Sequence, residues 1–378
     1  MFDLHRNSIA TLIAATRVVA STVAYGLVVV KSDFASLGLQ SLFLSWISLA
    51  STVRDSGVTE ICMVKRGAPR IIGLQLIASI IILVFPCFFG DGFARFPVSY
   101  FFAGALYLIL GFSATAIKGL TFQDATSSSK IGISEIGGVL AGILSITLFS
   151  NKIIGEYLLL IFSVVSCAIS FLIILVTYGN LIKICDVSPR VYASFFLRGL
   201  SSSALNAGGR VVELKFATSL TPAFGGLFSV VQKIYSNCVM VLNNSIFRKG
   251  IERALSGRAI VVPSKFRRII CALVSLCLVA EYFLMPVGTR LPYENRVGIV
   301  GLWCSVVVFA STVILLLSGN RAIAQTMKPS KKFIAIISIE CIILMSIYLS
   351  DFSKIGFVIA LNCTLLSAIF TANRLFSS

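Results

Sequence analysis

The chain has 378 residues, of which 57% are hydrophobic and 12% charged, and its mean hydropathy is +0.97. A soluble globular domain carries about 25% charged residues, so this chain has too few to cover a water-facing surface. The formal charge of +17 rests on 32 Lys and Arg against 15 Asp and Glu. These totals exclude a soluble fold and point to an integral membrane protein.

Unbroken apolar runs of about 20 residues identify the spans as helices, because barrel strands show ~10-residue segments of alternating polarity. In chain order the runs are 8–30, 35–53, 71–89, 97–117, 132–150 and 157–179. They continue with 194–220, 224–246, 269–287, 297–318, 333–350 and 355–373, giving twelve expected spans. The first run contains Arg17 and lacks a small-residue cleavage site, so it reads as a retained helix and not a signal peptide. Pro86 and Pro286 sit near the outer ends of the third and ninth runs, where each is expected to kink its helix.

Twenty-one Lys and Arg fall in alternate loops on one side, including Arg54, Lys65, Arg66, Arg70, Lys118 and seven between Arg248 and Arg268. Six fall on the other side: Lys31, Arg95, Lys152, Arg290, Arg296 and Lys354. The richer side is expected to be cytoplasmic, with both termini inside. The basic segment 248–268 lacks the aromatic interleaving of a nucleic-acid surface, so it reads as an inner-leaflet loop against anionic lipid.

The longest central polar break, Asn180 to Arg190, divides the spans six and six. The expected organisation is an N-terminal bundle at 1–180, a cytoplasmic linker at 181–193 and a C-terminal bundle at 194–378. Aligning Phe34 with Phe224 relates the halves by an offset of 190 residues, and an even number of spans makes them parallel repeats. The fold class expected is therefore an all-α membrane protein of about twelve helices, in two pseudo-symmetric bundles around a central cavity.

Ten Cys lie mostly within apolar runs without a CxxC pair, and His5 is the sole His. Neither a metal site nor a disulfide framework is expected, and no cofactor. Loops this short offer no platform for a membrane enzyme, so a non-enzymatic role is expected.

Cations inside the spans are the informative residues. Arg198 and Lys215 lie near the inner and outer ends of the seventh run, within snorkelling reach of headgroups. Arg17, Arg210 and Lys233 lie nine or more residues from either end of their runs, about 13 Å along a helix axis. Burying an ion there costs about 2.5–3.5 kcal/mol on insertion scales, so such residues face a bundle interior or an aqueous cavity. Glu213, three residues after Arg210, is the expected ion-pair partner and a candidate coupling residue. Glu135 is expected near the cytoplasmic end of its span, leaving Arg17 and Lys233 without an anion. Asp55 and Gly57 read as a helix-end turn. An unpaired excess of about two positive charges matches a diphosphate ester, whose oxygens suit Arg. Arg210 aligns with position 20, within a turn of Arg17, so the two Arg are expected to face each other across the cleft.

The opening pattern is Asn7-Ser8, Arg17, Phe34-x-x-x-Gly38 and "RDSGV" at Arg54 to Val58; the second half carries "NNSIFRKGIERA" at Asn243 to Ala254. Together these resemble polysaccharide flippases of the MATE-like (multidrug/oligosaccharidyl-lipid/polysaccharide) exporter superfamily. In residue terms the likeness covers about 60 residues at the start of each half. It implies a V-shaped pair of six-helix bundles in a bacterial inner membrane. For the O-antigen type it implies flipping of polyprenyl-diphosphate-linked oligosaccharide repeat units from the cytoplasmic to the periplasmic leaflet. On this reading Arg17, Arg198, Arg210 and Lys233 bind substrate, and Glu213 and Glu135 serve as ion-pair or coupling residues. The expected partners are membrane lipids, a coupling H+ or Na+, and neighbouring polysaccharide polymerase and assembly proteins, with the transporter itself monomeric. The alternative within the superfamily is a multidrug or small-molecule antiporter, for which an acidic cavity is expected.

Overall fold

The computed structural model describes residues 2–65, 67–85, 96–121, 125–148, 152–179, 184–230 and 232–233. Eight α-helices are defined there: α1 (Phe2–Lys31), α2 (Phe34–Asp55), α3 (Val58–Lys65), α4 (Ile72–Val84), α5 (Val98–Thr121), α6 (Ala125–Leu148), α7 (Leu158–Tyr178) and α8 (Pro189–Leu220). Residues 222–230 are also helical. Among the described residues, four segments are long and apolar enough to cross a membrane: Phe34–Asp55, Val98–Leu120, Ile131–Leu148 and Gly155–Tyr178. Each of the first seven apolar runs overlaps a helix where it is described, though α4 covers only 72–84 of the run 71–89. Most of the run 224–246 and every span expected after it, and the twelve-span arrangement with them, lie outside the described residues, as do Pro86 and Pro286.

Contacts divide the chain into two compact units, Met1–Val211 and Val212–Ser378. In the first, α6 packs along α1 and α7, α5 packs on α7, and α2 packs on α4 and α5. Small residues permit these approaches, because helices in lipid associate by close van der Waals packing. A Cβ at Gly138 would collide with the Ser166 carbonyl oxygen and the Ser170 hydroxyl of α7, so only glycine admits the α6–α7 contact seen.

The outward faces are apolar at helical spacing. Leu74, Ile77, Ile81 and Phe85 form one exposed stripe, and Val98, Phe102, Leu106 and Ile109 a second. Ile133, Leu140, Leu144 and Leu148 form a third, on α6. Val176 on α7 is 86% exposed and Phe102 on α5 74%, while the polar Gln40 and Ser79 are fully buried. An apolar exterior around a polar-containing interior is stable in lipid, where hydrocarbon surrounds the helices.

Polar side chains serve the helix ends. The Asp33 carboxylate accepts the Ser36 amide at 2.6 Å, capping the start of α2. The buried Gln40 side chain donates to the Gly155 carbonyl at 3.2 Å and accepts the Leu159 amide at 2.8 Å. Because α7 lacks a side-chain cap of its own, Gln40 satisfies an amide that its first turn leaves unpaired.

The structure adds local detail and corrects two placements. A short helix, α3, follows α2 after Gly57, whose φ of 71° turns the chain as expected of a helix-end turn. A Cβ at Gly57 would lie 2.6 Å from the Phe195 carbonyl group of α8, so the turn packs directly on backbone. Strands β1 (Ala68–Pro69) and β2 (Ile184–Cys185) pair in parallel, tying the segment before α4 to the segment before α8. Lys118 and Arg54, expected in loops, are helical residues of α5 and α2, and Arg54 is buried.

Candidate functional site

Three helices of the first unit bring ions together. Glu135 lies on α6, which begins at Ala125 with a polar stretch before the apolar segment. The apolar span within α6 starts at Ile131, so Glu135 lies about one turn inside it, near that end as expected. Its Oε2 accepts from Arg17 Nη1 of α1, and its Oε1 accepts from Lys118 Nζ of α5. Arg17, expected to lack an anion, therefore has one, and a second cation shares it. The Glu135 side chain is 15% exposed, against 34% for Arg17 and 35% for Lys118, so the carboxylate is the more deeply held member.

A second ionic cluster lies on α2. Arg54 Nε and Nη2 donate to the two oxygens of Asp55, each at 2.7 Å, a bidentate pairing. Arg54 Nη1 donates to the Leu108 carbonyl of α5 at 2.9 Å. Gly111 makes this possible, because a Cβ there would overlap Arg54 Nη1. Gly111→Ala is expected to push the guanidinium off its carbonyl partner and destabilise the protein by roughly 2 kcal/mol, within the range for disrupting a buried polar contact. A lowered midpoint in detergent-solubilised thermal unfolding checks this.

Helix α5 contributes to both clusters, through the Leu108 carbonyl in one and Lys118 in the other. Cys167 Sγ of α7 donates to the Tyr107 carbonyl, one residue before Leu108, at 3.9 Å. Arg17, Arg54 and Lys118 against Asp55 and Glu135 thus give these clusters one net positive charge.

The other expected site residues lie elsewhere. Arg210 is an exposed residue of α8 in the first unit. Glu213, in the second unit, is 3% exposed, and its Oε2 accepts from Gln232 Nε2 at 2.6 Å. Lys233 is helical and half-buried. The Arg198 side chain lies outside the described residues. Among the described residues no group of three or more His, Cys, Asp or Glu is placed to hold a metal.

The described chain is therefore a helical protein with four helices fit to cross a membrane and an ion-paired interior. No protein-family model and no characterised protein matches the sequence.

Proposed function

We propose that the protein is a transporter that flips polyprenyl-diphosphate-linked oligosaccharide repeat units across a bacterial inner membrane by alternating access. Its twelve helices form two six-helix bundles, and a cationic interior receives the anionic headgroup while the lipid tail stays in the bilayer. The observation that supports this reading is the excess of cations inside the first unit, where Arg17 and Lys118 share one carboxylate. An exporter of cationic drugs needs the opposite sign of charge in its interior.

Neutralising and reversing Arg17, as Arg17→Gln and Arg17→Glu, tests the proposal in a host that depends on this protein for surface polysaccharide. Arg17→Gln, which leaves Glu135 paired with Lys118, is expected to reach normal membrane abundance; per unit of protein, both variants are expected to lose surface polymer by at least tenfold and to accumulate lipid-linked repeat units. Unchanged polymer at normal abundance would remove Arg17 from substrate handling.

A further inference from the structure

The Glu135 carboxylate occupies a position that suits a different anion. Its two oxygens each engage a separate cation, Arg17 from α1 and Lys118 from α5. A phosphate group offers the same feature, two oxygens on one centre, with more negative charge. Both cations retain about a third of their side-chain exposure, so the carboxylate does not enclose them while they are paired.

We infer that Arg17 and Lys118 form a two-cation site for a phosphate or diphosphate ester, with Glu135 as an internal counterion that the incoming anion displaces. This deepens the transport reading and rests on it for the source of the anion, but the exchange itself is a property of these three residues. Glu135 keeps the cations compensated when the site is empty, which avoids leaving two unpaired ions inside the bundle. When a more highly charged anion arrives, it takes over the contacts and the carboxylate is released. The counterion thus sets affinity: it weakens binding enough for the anion to leave again.

Affinity measurements on the purified full-length protein test the exchange. Inorganic pyrophosphate is titrated in neutral phosphatidylcholine nanodiscs, and a second arm uses nanodiscs with and without a polyprenyl diphosphate. Glu135→Gln is expected to bind pyrophosphate about tenfold tighter than the native protein, the effect of removing one competing charge. Adding Arg17→Gln or Lys118→Gln to Glu135→Gln is expected to abolish that gain. Glu135→Asp keeps the charge but shortens its reach, and is expected to give a smaller gain; it covers the case in which Glu135→Gln is not recovered folded. A gain confined to the lipid arm identifies the bilayer as the source of the anion. Unchanged or weaker binding in both arms would overturn the inference. Tighter binding by Glu135→Gln, with polysaccharide export intact in Arg17 variants, would retain the anion site and reject its role in flipping.

Discussion

Replacing Glu135 by Ala should lower the thermal midpoint of the solubilised protein substantially. The substitution removes the carboxylate that both Arg17 and Lys118 contact and leaves two cations inside a helical bundle. Removing one member of a buried ion pair costs roughly 3–5 kcal/mol, because the remaining charge is desolvated without compensation. The lower end applies here, since Arg17 and Lys118 keep 34% and 35% side-chain exposure and are only part-buried. An exposed ion pair would cost about 1 kcal/mol or less, so the size of the loss distinguishes the two situations. Combining Glu135→Ala with Lys118→Ala removes one of the stranded cations and should recover part of the loss. Additive losses in the double variant would show that Lys118 and Glu135 do not act as a pair.

Gly57→Ala should be comparably damaging, through backbone rather than charge. The φ of 71° costs a non-glycine residue about 1–2 kcal/mol. The added methyl would also lie 2.6 Å from the Phe195 carbonyl carbon and oxygen and 2.8 Å from the Phe196 amide nitrogen. Backbone atoms in α8 have no rotamer to move out of the way, so the turn or the helix must shift. Loss of membrane abundance, or a midpoint lowered beyond the cost of φ alone, is the expected result. Gly26→Ala provides the control, because a Cβ there meets nothing within 4 Å. It should be neutral or slightly stabilising, by up to about 1 kcal/mol, as alanine favours the helix.

Much of the helical framework is legible in sequence. Hydrocarbon imposes a length and an apolarity on each span, and both are one-dimensional properties of the chain. Seven apolar runs accordingly overlap helices where they are described, and four of those helices are long and apolar enough to cross a membrane. The Asp55–Gly57 turn is legible for a similar reason, since glycine after a helix end signals a left-handed residue. The short α3 and the two-residue β1 and β2 are not, because eight-residue and two-residue elements carry no periodic signal.

Charge placement follows a different logic. Counting Lys and Arg by loop assigns Arg54 and Lys118 to water, yet α2 and α5 extend far enough to draw both into the bundle. Their depth depends on where each helix ends, the least determinate feature of a sequence. The pairing of Arg17 with Glu135 joins residues 118 positions apart, and Lys118 enters from a third helix. Sequence alone determines that the protein is helical, apolar and suited to a membrane, since these follow from composition and periodicity. Only the tertiary structure decides which ions share a carboxylate, because that depends on which helix faces pack together and how closely their glycines let them approach.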